Sequence, residues 1–145
     1  MYAYRKAELA DLTEVIQLWE RSVKATHDFL DAEGILAIKD ELIEFIPQQE
    51  LILVTEKNNQ QILGFASVAA ENLNMLFLDE SAIGKGIGSQ LFDYMLEHYP
   101  FKTLDVNKDN PYALAFYLHK GFEVIAEEPV DEQGRPFPIL KLAKK

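Results

Sequence analysis

Three glycines fall on alternate positions in Asp79-Glu80-Ser81-Ala82-Ile83-Gly84-Lys85-Gly86-Ile87-Gly88-Ser89-Gln90-Leu91-Phe92, between an apolar run and the start of an amphipathic helix. Each glycine costs a helix roughly 1 kcal/mol relative to alanine, so a cluster at a strand-to-helix junction requires a reason. Anion binding supplies one. The first turn of a helix offers N–H groups with no partner of their own, and a ligand reaches them only where no Cβ intervenes. The plainer reading is a tight turn with a glycine-rich start. The chain has no cysteine, which excludes a thiolate nucleophile, a disulfide framework and thiolate metal sites. Its three histidines, His27, His98 and His119, show no metal-ligand spacing.

Two familiar phosphate loops do not fit. A Walker-type loop needs Lys then Ser or Thr after its last glycine, whereas Gly88 is followed directly by Ser89. A dinucleotide fingerprint needs G-x-G-x-x-G and an acidic residue about 20 positions on. Asp105 stands at a suitable distance, but Gly84, Gly86 and Gly88 have the wrong spacing, and they lie past the middle of a small chain.

The elements around the loop follow from periodicity. Ala3 to Ala7 reads as a short strand, and Asp11 with Glu14 has capping-box spacing for a helix. That helix buries Leu12, Val15, Ile16, Trp19 and Val23 and leaves Glu14, Gln17, Glu20, Arg21 and Lys24 to solvent. A second helix is expected from about Asp31 to Ile46, interrupted in pattern by Gly34 and ended by Pro47. Leu51 to Val54 and Ile62 to Val68 form a hairpin around Lys57-Asn58-Asn59-Gln60. Leu73 to Leu78 leads into the glycine loop, and the helix from Ile87 buries Leu91, Met95 and Phe92. Thr103 to Val106 is the next strand, Pro111 opens a helix that Gly121 closes, and Phe122 to Ala126 and Phe137 to Leu142 make the last strands. The pattern is that of an α+β or α/β domain with a mixed sheet.

At 145 residues and 48% hydrophobic composition the chain suffices for one domain, 1–145, with a real core. No apolar run approaches the roughly 18 residues of a membrane span, and Met1 leads into Tyr2-Ala3-Tyr4-Arg5-Lys6 without a signal-peptide core, so a soluble cytoplasmic protein is expected. The net charge of -10 opposes nucleic acid and anionic lipid and favours a cationic partner such as an amine. An anionic ligand then needs a locally positive site, which a helix N-terminus provides.

Two segments carry a resemblance. The strand-loop-helix Leu76 to Leu96, with Ile83-Gly84-Lys85-Gly86-Ile87-Gly88, resembles the acyl-CoA pyrophosphate loop of the GNAT superfamily of N-acetyltransferases. Val106 to Phe122, with Asn107, Asn110, Ala113, Phe116, Tyr117, Gly121 and Phe122, resembles that family's second cofactor segment. Arg21 to Leu30 and the Asp131 to Pro138 stretch are similar to a small bacterial YjaB-like subgroup. The resemblance covers essentially the whole chain. It implies a central mixed, mostly antiparallel sheet of about six to seven strands flanked by about four helices, with acetyl-CoA as the cofactor. It also implies that the backbone of Leu76, Phe77 and Leu78 meets the pantetheine amides, as an added strand pairs with an edge. Gly84, Gly86 and Gly88, with Lys85, Ile87 and Ser89, would hold the pyrophosphate, and Asn107, Asn110, Phe116, Tyr117 and Lys120 would complete the cofactor set. One departure stands out: Ile83 replaces the family's leading Gln or Arg. Since a hydrogen bond to a charged group nets about 1.5 to 3 kcal/mol, affinity falls without vanishing, and Lys85, Lys108 and Lys120 are candidates to compensate.

Acetyl transfer to an amine needs a deprotonated nucleophile, a polarised thioester carbonyl and a proton for the departing thiolate. The resemblance assigns the general acid to Tyr117. A primary amine with a pKa of about 10.4 is protonated at pH 7 and needs a base or a water chain. His27, oriented by Asp28, and Glu71 are the two candidates. Thr26, His27, Asp28 and Phe29 are alternatively expected to shape the acceptor pocket. The expected function is therefore an N-acetyltransferase acting on a small-molecule or protein amine, as a monomer or homodimer. The alternative is a non-catalytic acyl-CoA-binding sensor module, to which Ile83 and the lack of an obvious base point.

Overall fold

In the computed structural model, residues 2–27, 30–131 and 134–145 are described. The mid-chain apolar runs form the expected hairpin, β2 (Ile52–Glu56) and β3 (Ile62–Ala69), reversed by a turn in which Gln60 takes φ 58°. β1 (Tyr2–Lys6) pairs antiparallel with β2 from Tyr2↔Glu56 to Lys6↔Ile52. A two-residue turn with positive φ at both Ala70 (51°) and Glu71 (60°) carries β3 into β4 (Asn72–Leu78). This is the conformation whose twist matches that of the flanking strands. β4 pairs parallel with β5 (Thr103–Asn107) at Asn72↔Thr103 and Leu73↔Leu104. β7 (Ile139–Lys144) then lies antiparallel between β5 and β6 (Phe122–Glu128). The sheet order is β1-β2-β3-β4-β5-β7-β6. Among the described residues, seven mostly antiparallel strands and four α-helices give the mixed α+β architecture that the resemblance implied.

The chain groups into two compact units, Met1–Val68 with Met75–Pro100, and Ala69–Asn74 with Phe101–Lys145. The first is organised by α1 (Leu12–Thr26) and α2 (Ala32–Phe45), whose apolar faces meet strand residues. Val15, Leu18, Trp19 and Val23 pack with Ile35, Leu42 and Ile46 and with Leu51, Leu53, Ile62, Phe65 and Met75. α3 (Ile87–His98) belongs to the same unit and buries Ile87, Leu91, Phe92 and Met95. In the second unit α4 (Pro111–His119) buries Tyr117, while Phe101, Leu104, Val106, Phe122, Leu140 and Leu142 are buried from the strands and the β5 approach. No helix among the described residues is long and apolar enough to cross a membrane.

Three local expectations are corrected. The Asp11–Glu14 capping box is not formed: Asp11 makes no side-chain cap for α1. It instead closes a box with Glu8 around the 3-10 turn Leu9–Asp11, accepting from the Glu8 amide at 2.7 Å, and pairs with Arg5 at 2.8 Å. The extra turn runs directly into α1, which starts at Leu12. Second, Gly34 does not interrupt α2; its amide donates to Asp31 Oδ1 at 2.7 Å, so it completes the N-cap. Third, the buried stripe of α1 is rotated to include Leu18 and Ser22, and Arg21 is not a purely solvent residue.

Candidate active site

The glycine loop lies at the end of β4, after a 3-10 turn, Glu80–Ala82. Gly84 and Gly86 take φ 80° and 81°, a left-handed conformation that side chains other than glycine occupy at a cost of roughly 1–2 kcal/mol. A Cβ added at either would meet nothing within 4 Å, so steric crowding by the protein does not explain these glycines; backbone conformation and an open approach do. Gly88 has the opposite reason, since a Cβ there would lie 3.1 Å from Leu78 Cδ1, where α3 packs on β4. Gly86 is the N-cap of α3 and has no side chain with which to cap the helix start. The first-turn amides, which include those of Ile87 and Gly88, are thus presented at an exposed helix N-terminus with its partial positive charge. These features fit a phosphate-bearing ligand bound through the main chain. Ile87 contributes only backbone, its side chain being in the core, and Ile83 is 41% exposed. Lys85 is exposed in the loop, with no ion pair found for it among the described residues.

β4 feeds this loop with alternating faces. Phe77 packs its ring 5.6 Å from that of Phe65, while Leu76 and Leu78 are half-buried. The strand is followed by Asp79, a buried carboxylate that no sequence signal singles out. Arg21 Nε and Nη2 each lie 2.8 Å from its Oδ1, and its Oδ2 accepts from the Ser81 amide at 3.1 Å and hydroxyl at 2.5 Å. Burial raises the pKa of this carboxyl, but the Ser81 hydroxyl, the Arg21 guanidinium and the Ser81 amide outweigh it, so it lies below the ordinary carboxylate value.

At the C-terminus of α1, His27 is buried and its amide donates to the Val23 carbonyl at 2.8 Å. Thr26 Oγ1 donates its one proton to the Ser22 carbonyl at 2.8 Å and lies 2.7 Å from His27 Nδ1. With that proton donated to the Ser22 carbonyl, the hydroxyl oxygen is placed to accept from the ring in its Nδ1–H tautomer. Asp28 and Phe29, the other expected acceptor residues, lie outside the described residues.

In the second unit, Asn110 is buried and caps α4, its Oδ1 accepting from the Ala113 amide at 3.2 Å, while its own amide donates to the Asn107 carbonyl at 3.0 Å. The Oδ1 of Asn110 thus orders the first turn of α4. Asn107 is the last residue of β5, in register with Ile139. Tyr117 is 8% exposed, edge-on to Phe116 at 5.3 Å, and burial pushes its hydroxyl up to about 12. Lys120 at the end of α4 sets its Nζ 5.8 Å from the centre of the Phe116 ring. Lys108, expected to supply charge, pairs with Glu127 at 3.0 Å. Glu71 is an exposed turn residue whose carboxylate is 3.3 Å from Lys102 Nζ.

The fold and the loop together define an acetyltransferase: a model of the acetyltransferase (GNAT) domain matches residues 24–142, and the chain belongs to the GNAT family. It is similar to the peptidyl-lysine N-acetyltransferase YjaB of Escherichia coli, 34% identical over 96% of this chain and 94% of that protein. The Salmonella typhimurium protein of the same name is 34% identical over 98% of this chain and 97% of its own. The solution structure of apo-form YjaB from Escherichia coli matches with a TM-score of 0.90, covering 99% of this chain and 97% of that one.

Proposed function

We propose that this protein transfers the acetyl group of acetyl-CoA to a primary amine, and that the amine is the side chain of a protein lysine. The observation that carries the donor is the loop itself: two glycines at positive φ with open space above them, leading into a helix whose N-cap residue is a glycine. The names of the relatives, peptidyl-lysine N-acetyltransferases over nearly the whole chain, support the acceptor, as does a net charge of -10 that draws a cationic side chain in.

In this reading residues 1–145 work as one acetyltransferase domain in the cytoplasm. The main chain of Gly84 to Ser89 holds the pyrophosphate, with Lys85 adding charge where Ile83 adds none. The backbone of Leu76, Phe77 and Leu78 holds the pantetheine arm, and Asn107, Asn110, Phe116 and Lys120 belong to the second cofactor segment. The bound coenzyme supplies the thioester. Nε2 of His27 takes a proton from the acceptor ammonium, and Thr26 keeps that nitrogen in its basic tautomer. Burial and this hydrogen bond favour His27 over Glu71, whose carboxylate is exposed and ion-paired.

Tyr117 holds its proton through the working pH range and presents it to the departing sulfur. A phenol at about 12 is a weaker acid than a thiol of about 8.5, and full transfer is uphill by about 5 kcal/mol. Tyr117 therefore acts chiefly as a hydrogen-bond donor to the developing thiolate.

Calorimetric titration with acetyl-CoA, with NAD as control, tests the donor. Micromolar binding of acetyl-CoA with no NAD signal is expected; no binding at millimolar acetyl-CoA would overturn the reading.

A further inference from the structure

Asp79 uses every polar group it has. Its amide donates to the Leu63 carbonyl of β3 at 2.8 Å, and its carbonyl accepts from the Ala82 amide at 2.9 Å. One carboxylate oxygen takes the Arg21 guanidinium from α1, and the other takes the amide and hydroxyl of Ser81. A single buried residue thus joins β3, α1 and the 3-10 turn Glu80–Ala82 at the point where β4 becomes the glycine loop. The turn it secures ends one residue before Ile83, so the direction in which Gly84 to Gly88 leave β4 is set there. The loop is held at its far end by the buried Ile87 and by Gly88 against Leu78, and between these and the turn Gly84 and Gly86 have the freedom of glycine.

We propose that Arg21 is a positioning residue for acetyl-CoA: through Asp79 and Ser81 it holds the glycine loop in its binding conformation without touching the ligand. A preformed loop avoids the ordering cost that a mobile one meets on binding, and rigid presentation of main-chain N–H groups compensates for the side-chain contact that Ile83 cannot make. The guanidinium suits this task because its planar fork approaches the carboxylate through two N–H groups, which a lysine cannot reproduce. Arg21 also stands six residues before His27 on the same helix, roughly 9 Å along the axis at 1.5 Å per residue. The clamp therefore ties the helix that ends at the proposed base to the loop that holds the donor.

The proposal rests on the loop being the acetyl-CoA site, and the test separates the two. Amide hydrogen exchange on the ligand-free protein, wild type against Arg21→Met, reads the clamp alone; faster exchange confined to the Ser81–Gly88 amides is expected. Calorimetry and steady-state kinetics then read its purpose. Arg21→Met raises the Kd and KM for acetyl-CoA roughly tenfold, a change of 1.4 kcal/mol, while KM for the amine stays within about twofold. Arg21→Lys recovers part of the loss and serves if the Met variant does not fold. In an Asp79→Asn background Arg21→Met adds little, because the pair acts as a unit. Unchanged loop exchange, or faster exchange with acetyl-CoA affinity intact, overturns the proposal, as does an equal rise in KM for both substrates. If the wild type binds no acetyl-CoA, the donor assignment fails and the proposal with it, while the exchange data still report whether the clamp orders the loop.

Discussion

Replacing Tyr117 by Phe removes one hydroxyl from a ring that is 8% exposed, so shape and packing are retained and two separate effects become readable. The first is chemical. Positioned acids contribute about 10²- to 10⁴-fold, and a phenol pushed up to about 12 is poorly matched to a thiolate, so the expected fall in kcat is at the low end, about 10²-fold. The Kd for acetyl-CoA stays within a factor of about three, because the hydroxyl acts on charge that develops only during reaction. The second effect is on stability. A tyrosine pushed up to about 12 in the folded protein and at the ordinary value of 10.0 in the unfolded chain keeps its proton after the unfolded chain has lost its own. Its contribution is therefore complete below pH 10 and is lost as pH rises toward about 12, by about 1.4 kcal/mol at pH 11 and about 2.7 kcal/mol in full. Urea unfolding at pH 8 and pH 11 on both proteins, alongside turnover at pH 8, measures both. The stability of wild type relative to Tyr117→Phe should fall by about 1.4 kcal/mol between these pH values. Parallel stability at the two pH values would refute the buried phenol, and an unchanged kcat would reduce Tyr117 to a packing residue.

Gly86→Ala forces a side chain into φ 81° at the start of α3 and should cost roughly 1–2 kcal/mol of stability by denaturant unfolding, with acetyl-CoA affinity falling at least as much as for Gly84→Ala. His27→Ala should leave acetyl-CoA affinity unchanged and lower turnover at pH 7 by about 10²-fold. Its residual rate should climb steadily with pH as the amine deprotonates toward its own pKa of about 10.4; a flat profile would remove His27 from the role of base.

The strands, helices and glycine loop were legible because each is a local pattern: apolar runs with turn residues between them, a proline at the first position of α4, a glycine closing it. Asn110, Pro111 and Gly121 each act within a few residues of themselves, and the sequence displays such signals directly. What it did not display depends on long-range partners. Arg21 falls on the polar side of α1 by periodicity, and Asp79 looks like an ordinary turn residue; their ion pair spans 58 positions. Asp11 has equal spacing for two capping boxes, and Arg5 on β1 selects the earlier one by pairing with it. Glu71 reads as a carboxylate beside a strand, but its place in a positive-φ turn next to Lys102 emerges only from the fold. The contact of Thr26 with His27 is local, but it depends on the rotamer in which Thr26 donates to the Ser22 carbonyl, which residue type alone does not display.

The central claim is tested most directly by incubating the purified protein with acetyl-CoA and a lysine-containing peptide, following free thiol and locating the acetyl group by peptide mass spectrometry. Thiol release that requires the peptide, with acetylation at the lysine side-chain nitrogen, is the predicted result. A folded protein that binds acetyl-CoA but releases no thiol beyond the rate of buffer, with peptides or small amines, would contradict it.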